Sequence, residues 1–248
     1  MARTAINLYS VRELDEPLPE TLERVAEAGY DGVQFSGGLG DADLEAVTEV
    51  LDRTGLETTG AHVDIAELEH ELEEAQSLYQ ETLGCDSAVV PYLSADHFAS
   101  TRAVEHTAGR LTSLAHRLSD KGWKLHYHNH DHEFAELDDD SLAFDAFAAE
   151  ASEIGLEVDV GWVQYAGYNP VDLINEYAER IDIVHLKDVA ADAPHDECFR
   201  ELGEGDVDVQ ACADAARDAN ASWLVYEHDE PENPVESITH GADLLNSL

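Results

Sequence analysis

Four short apolar runs in the second half of the chain each end in a side chain that can bind a cation. They close on His128, Asp159, His185 and Glu227. Two imidazoles and two carboxylates suit a divalent ion, Mn, Co, Zn, Fe or Mg, with the histidines tilting the choice away from Mg. Such an ion acts as a Lewis acid, stabilising negative charge that develops on a substrate oxygen. Glu227 is the first choice for the base, because a carboxylate beside a cation stays ionised at neutral pH and still reaches carbon. His130 is the second proton carrier, since an imidazole titrates near neutrality. Lys187 is one of three lysines in the chain and stands two residues past His185, placed to stabilise oxyanion charge. The bland reading of Lys187 is an ion pair with a neighbouring carboxylate. A lone histidine or aspartate at the end of a run is usually a hydrogen-bonded structural group. Four on consecutive runs are harder to explain that way.

Other polar residues follow the same runs. His62 and Arg200 are candidate hydrogen-bond donors to substrate, and Trp162 can stack on the flat apolar face of a ligand. Arg200 precedes the loop Gly203-Glu204-Gly205, which can position phosphate or hydroxyl groups. Alternation along an extended strand puts His126, His128 and His130 on one face and Tyr127 and Asn129 on the other. Among these His128 is the ligand choice, His130 a substrate contact, His126 a satisfied core group, and His132 beyond them is expected to be exposed. Tyr9 reads as a core or rim residue.

The elements that must hold these residues alternate from end to end. Strands are predicted over residues 5–9, 32–35, 57–61, 88–91, 124–128, 156–159, 183–186 and 223–227. Helical patterns fill 19–28, 43–54, 67–83, 100–120, 141–151, 170–178 and 208–218, and a last one closes the chain near 235–245. Pro19 and Pro170 sit where a first-turn proline is tolerated, and Gly29 and Gly122 where a helix stops. Eight strand–helix units in 248 residues favour one closed (β/α)8 TIM barrel spanning residues 1–248 over a doubly wound sheet. No Gly-x-Gly-x-x-Gly follows the first run, which removes the dinucleotide-binding form of that rival. There is no Pro- or Gly/Ser-rich linker, and the acidic stretches, such as Asp138-Asp139-Asp140, read as surface. In a barrel of this kind the strand ends and the loops after them form the active site. The second strand would then contribute Gln34-Phe35-Ser36-Gly37-Gly38, and the eighth Glu227-His228-Asp229.

The charge balance, 55 acidic against 13 basic residues and a net charge of −42, repels phosphate backbones and anionic lipid. Nucleic acid and membrane are therefore not expected as partners. A small-molecule substrate is. A hydrophobic fraction of 44% argues against disorder, so the acidity points to a folded, halophilic, cytoplasmic protein. Cys85, Cys198 and Cys212 are odd in number and widely spaced, as for reduced thiols. The N-terminus carries no apolar core of signal-peptide length. Lowering the salt lengthens the screening distance from about 3 Å at 1 M to about 10 Å at 0.1 M. Melting is therefore expected at a clearly lower temperature in low salt than in molar salt. A melting temperature unchanged between the two would refute salt adaptation.

Several segments together resemble the sugar phosphate isomerase/epimerase family, the xylose-isomerase-like TIM barrels that include inosose dehydratase-like proteins. They are Leu8-Tyr9-Ser10-Val11-Arg12, Gly60-Ala61-His62-Val63, Tyr127-His128-Asn129-His130-Asp131-His132-Glu133-Phe134, Asp159-Val160-Gly161-Trp162, Val184-His185-Leu186-Lys187-Asp188 and Glu201-Leu202-Gly203-Glu204-Gly205-Asp206. The resemblance implies a divalent metal held by residues on the fifth to eighth strands, by position His128, Asp159, His185 and Glu227. It also implies two glutamates passing a proton between faces or carbons of a sugar. Here the fifth-strand glutamate is His128, the Asp-x-x-His of the sixth strand ends in Trp162, and a second-strand glutamate is Gln34. One of the two acid/base carboxylates is thus replaced. The implied activity is isomerisation or epimerisation of a keto sugar through an enediolate, formed when the carbon beside a cation-polarised carbonyl loses its proton. The alternatives are a lyase that expels a β-hydroxyl from the same enediolate, a metal-dependent endonuclease of the endonuclease IV kind, and a degenerate sugar-binding barrel. Elimination removes only one carbon proton, which suits the loss of a glutamate.

Overall fold

The short apolar runs are buried on both faces, as parallel strands covered by helices must be. Ser87–Val90 and Trp223–Tyr226 have no exposed residue, and Ile181–Leu186 is buried except at Asp182. The computed structural model describes residues 2–37, 39, 42–138 and 140–248; Gly38 and Asp139 lie outside the described residues. The barrel strands, in chain order, are Arg3–Asn7, Gly32–Gln34, a third in two pieces (Glu57–Thr58 and Ala61–His62), Ser87–Val90, Lys124–His128, Gly155–Asp159, Ile181–Leu186 and Trp223–Tyr226. Every neighbouring pair is parallel, and the first strand pairs with both the second and the eighth. The third strand pairs with the second through its first piece and with the fourth through its second. Gly60, at the break, allows this approach: a Cβ there would meet Ser87 Oγ at 2.6 Å. The result is a (β/α)8 TIM barrel.

Alternation decides what the barrel contains. Ala5, Val89, Ile183, Trp223 and Val225 form a buried apolar cluster separate from the main core between strands and helices. Two residues further along these strands the inward positions turn polar, giving Asn7, His185 and Glu227. The lower barrel is thereby plugged, and the polar layer stands above it at the strand ends.

The helices differ from expectation in two places, and a small strand pair is added. Residues 67–83 are not one helix: Ile65–His70 and Leu72–Ala75 are separated at Glu71, and Gln76–Thr82 continues as a π-helical turn. Directly after the sixth strand, Val160–Tyr165 forms a helix that the sequence reading lacked, with the Asp159 side chain accepting from the Trp162 amide at 3.0 Å. Asp188–Val189 and Phe199–Arg200 form a small antiparallel pair outside the barrel. Other punctuation is as read: Gly29 ends Leu18–Ala28 at φ 97°, and Pro170 is in the first turn of Pro170–Glu176. No helix of the described residues is long and apolar enough to cross a membrane.

The Gly203–Gly205 loop does not offer its amides to a ligand. Asp188 is buried and accepts from Gly203 N at 2.8 Å, Gly205 N at 2.9 Å, Val207 N at 3.1 Å and Val189 N at 2.9 Å. A Cβ at residue 205 would come within 2.2 Å of Asp188 Oδ1, so glycine is required by this contact. Asp188→Ala orphans these amides and is expected to cost at least about 3 kcal/mol. That corresponds to a fall in Tm of roughly 6–12 °C for a chain of this size. A Tm within a degree of the parent would show that the loop holds itself.

Candidate active site

The polar layer opens into a cavity of about 690 Å³ at the C-terminal end of the barrel. Its lining includes His62, His128, His130, Trp162, Lys187 and Glu227. Each stands at or just past a strand end, where the parallel hydrogen-bond ladder stops and the backbone turns into a loop or helix. Asp159 and His185 lie just beneath, fully buried.

One nitrogen or oxygen from each of His128, Asp159, His185 and Glu227 falls in a group whose members all lie within 4.8 Å of one another. His128 Nε2 is 3.7 Å from Asp159 Oδ2, and His185 Nδ1 pairs with Glu227 Oε2. Lys187 Nζ, almost fully buried, lies 2.9 Å from Asp159, 2.9 Å from Asp229 and 3.6 Å from Glu227. Lys187 is thus an ion-pair partner of three carboxylates, and it also lines the cavity.

The electrostatics follow from burial opposed by charge. Burial alone would push the Lys187 ammonium down, but Asp159, Asp229 and Glu227 hold it well above its ordinary range. Burial would raise the Glu227 carboxyl, yet Lys187 and His185 hold it well below the usual carboxylate range. His185 would be pushed down by burial and is instead raised to about 10 by Glu157 and Glu227 on its two sides. For His130 burial, with His128 and Lys187 nearby, outweighs the upward pull of Glu227 and drives its imidazole well below the ordinary value. Asp229 is pushed up to about 6, by burial first and by Glu227, with Lys187 opposing.

The remaining candidates separate. His62 is in the site, its Nε2 at 2.6 Å from Glu157 Oε1. Trp162 is 2% exposed, with His195 stacked on it at 4.9 Å and His130 at 5.6 Å, which leaves little of its face for a sugar. Its indole Nε1 is buried without a partner, as is His130 Nδ1, so both offer a hydrogen bond instead. Arg200 is outside the cavity: it lines a side pocket with Glu201 and His240, and its Nη1 donates to the carbonyls of Glu197 and Phe199. The antiparallel pair turns this residue away from the barrel mouth. His132 is not exposed, since its Nε2 bonds the Leu93 carbonyl at 2.7 Å. His126 lies lower in the barrel beside Asp182 at 3.2 Å. Tyr9 stands on the rim, 41% exposed, under the Arg12 guanidinium.

Glu157 escaped the sequence reading, and Asp229 was read only as part of the polar end of the eighth strand. Glu157 is fully buried at the centre of the polar layer, and Asp229 lines the cavity against Lys187. Both were signalled by period two: Glu157 shares a face with Asp159, and Asp229 with Glu227.

The donor set fits a divalent cation. Asp159 Oδ2 is buried without an aligned hydrogen bond, although Lys187 is close to it. A buried carboxylate oxygen of this kind, grouped with an imidazole nitrogen and a second carboxylate at the floor of an open cavity, is what such an ion coordinates.

Comparison with known proteins gives the same architecture. The family model described as xylose isomerase-like TIM barrel matches residues 22–248. The rhizopine catabolism protein MocC of Rhizobium meliloti is 27% identical over 91% of this chain and 79% of its own length. An inosose dehydratase of Geobacillus kaustophilus is 30% identical over 70% of this chain, the match spanning 62% of that protein. Among solved structures, a sugar phosphate isomerase/epimerase from Parabacteroides distasonis superposes with TM-score 0.83 at 16% identity, covering 100% of this chain and 99% of that one. A D-allulose 3-epimerase from Methylomonas sp., solved with D-allulose, superposes with TM-score 0.72 at 13% identity, covering 99% of this chain and 96% of that one.

Proposed function

The chain belongs to the xylose isomerase-like TIM barrel family, and we propose that it is a metal-dependent isomerase or epimerase of a keto sugar or sugar derivative, working through an enediolate. The observation that carries this reading is the convergence of His128, Asp159, His185 and Glu227 at the floor of the cavity. These four would hold the ion. When bound, a divalent cation supplies Lewis-acid stabilisation of charge developing on the substrate's carbonyl and hydroxyl oxygens. Glu227, ionised and facing the cavity, removes the proton from the adjacent carbon. Lys187 Nζ, beside Glu227 and Asp229, adds positive charge near the enediolate oxygens. His130, held neutral by burial, relays or returns the proton through an imidazole nitrogen. Trp162 Nε1 orients a hydroxyl group; His62, with both ring nitrogens taken by Glu157 and Asn7, is not free to do so.

A second reading, dehydration of an inosose-like polyol, is favoured by Asp229. Its carboxyl, raised to about 6, lines the cavity near Glu227 and can protonate a departing hydroxyl. Its sequence relatives include inosose dehydratases. Solvent deuterium incorporation and water loss, measured across keto sugars and inososes with added metal, separate the two. Exchange without water loss supports isomerisation or epimerisation; water loss supports the lyase. Absence of metal-dependent carbon exchange on every substrate tried would leave a sugar-binding barrel without turnover.

Asp159→Asn tests the ion itself. Asparagine keeps an oxygen to cap Val160–Tyr165, so the barrel should fold. Metal affinity should fall by more than the roughly 10–100-fold lost with an outer partner. Calorimetric titration of both proteins in molar salt reads this, and equal affinities would remove Asp159 from the site.

A further inference from the structure

Beneath the proposed ligands, Glu157 is fully buried and does not line the cavity, so it is out of reach of a substrate. Its Oε1 faces nitrogens from three strands: His62 Nε2 at 2.6 Å, His128 Nδ1 at 3.0 Å and His185 Nε2 at 3.0 Å. The first two are hydrogen bonds; His185 is near but not aligned. Its Oε2 accepts from Gln34 Nε2 at 2.7 Å, and Gln34 Oε1 in turn accepts from Asn7 Nδ2 at 2.7 Å. Asn7 is itself held, its Oδ1 accepting from the Tyr9 amide at 2.8 Å. Asn7, Gln34, Glu157 and the three histidines are all buried, and the carboxylate at the centre is fixed at both oxygens.

The fixed carboxylate acts on His128 directly. Glu157 and His128 are register partners across the fifth and sixth strands, so the contact is set by the barrel itself. The ring turns Nδ1 down to Glu157 and Nε2 up toward Asp159 Oδ2, 3.7 Å away. A carboxylate acceptor on one ring nitrogen keeps the proton there and leaves the other nitrogen's lone pair free to ligate.

We propose that Glu157 is the positioning residue of the cation site, holding His128 as its Nδ1–H tautomer so that Nε2 faces the ion, and bracing His62 and His185 from below. This inference rests on the proposed metal site. It accounts for a histidine standing where the resemblance implies a glutamate: the neighbouring strand supplies the carboxylate, one layer deeper. The competing arrangement is that His62, His128, Glu157 and His185 hold the ion themselves, since their donor atoms also lie within 4.8 Å of one another.

The test titrates Co²⁺ into the metal-free chain in molar salt, reading affinity by calorimetry and coordination by the visible cobalt spectrum. Glu157→Gln is expected to bind cobalt about 10–100-fold more weakly, with an altered spectrum. His62→Gln, which removes no proposed ligand, should stay within a few-fold of the parent with the parent spectrum. Parent affinity and spectrum in Glu157→Gln would overturn the proposal. So would loss of binding in His62→Gln with binding kept in Asp159→Asn, because the ion would then sit in the deeper set. No cobalt binding by the parent chain would instead overturn the metal site on which the inference rests. Should Glu157→Gln fail to fold, the tautomer is read on the unaltered protein. Long-range ¹H–¹⁵N spectra of the zinc-loaded chain should show the His128 proton on Nδ1, and a proton on Nε2 would refute the assignment.

Discussion

Glu227→Gln is expected to abolish exchange of the substrate's carbon-bound proton with solvent while keeping part of the metal affinity. Glu227 combines cavity access with a carboxyl that Lys187 and His185 hold ionised despite its burial. Glutamine preserves the shape and one coordinating oxygen but cannot accept a proton from carbon. Loss of a general base alone costs about 10²–10⁴-fold in rate, and weakened coordination adds to that. The measurement is proton–deuterium exchange on a turned-over sugar, beside a metal titration of the same variant. Exchange at the parent rate would place the base elsewhere, with His130 the first suspect. Burial leaves that imidazole neutral, and its Nδ1 has no partner.

Lys187→Met is expected to affect both rate and stability, for different reasons. The rate should fall by about 10²–10³, the scale of removing one oxyanion donor. Stability should fall because three carboxylates, Asp159, Glu227 and Asp229, lose the ammonium buried among them. Breaking a buried pair by removing one partner costs about 3–5 kcal/mol, or on the order of 10 °C in Tm for a protein of this length. A bound divalent cation also supplies positive charge to Asp159 and Glu227. Adding metal should therefore raise the variant's Tm more than the parent's, narrowing the gap. Thermal melts of both proteins with and without metal, in molar salt, read the difference. Equal metal-free melting temperatures would show that the carboxylates do not depend on Lys187. A fully active variant would reduce Lys187 to a structural ion-pair partner.

The sequence by itself determined the number of strand–helix units, the closed barrel and the strand ends at which polar side chains accumulate. These properties are local: alternation is set by the pleat of each strand, and helix ends by caps such as Gly29 and Pro170. It also placed His128, Asp159, His185 and Glu227 at the ends of consecutive strands, and the tertiary structure brings their donor atoms together. Depth was a different matter. Leu156-Glu157-Val158-Asp159 shows that Glu157 and Asp159 share a face, but not that Glu157 meets histidines from three other strands. That level is set by the stagger between strands around the closed barrel, a property no single run contains. Only the tertiary structure decided that Asp188 occupies the amides of the glycine loop, and that Arg200 turns into a side pocket. It likewise decided that imidazoles stack on Trp162 and leave little of its face open. For Asp188 and Trp162 the deciding partners are remote in sequence, and Arg200 is turned by its strand pairing with Asp188; these positions follow from how loops pack over the barrel mouth.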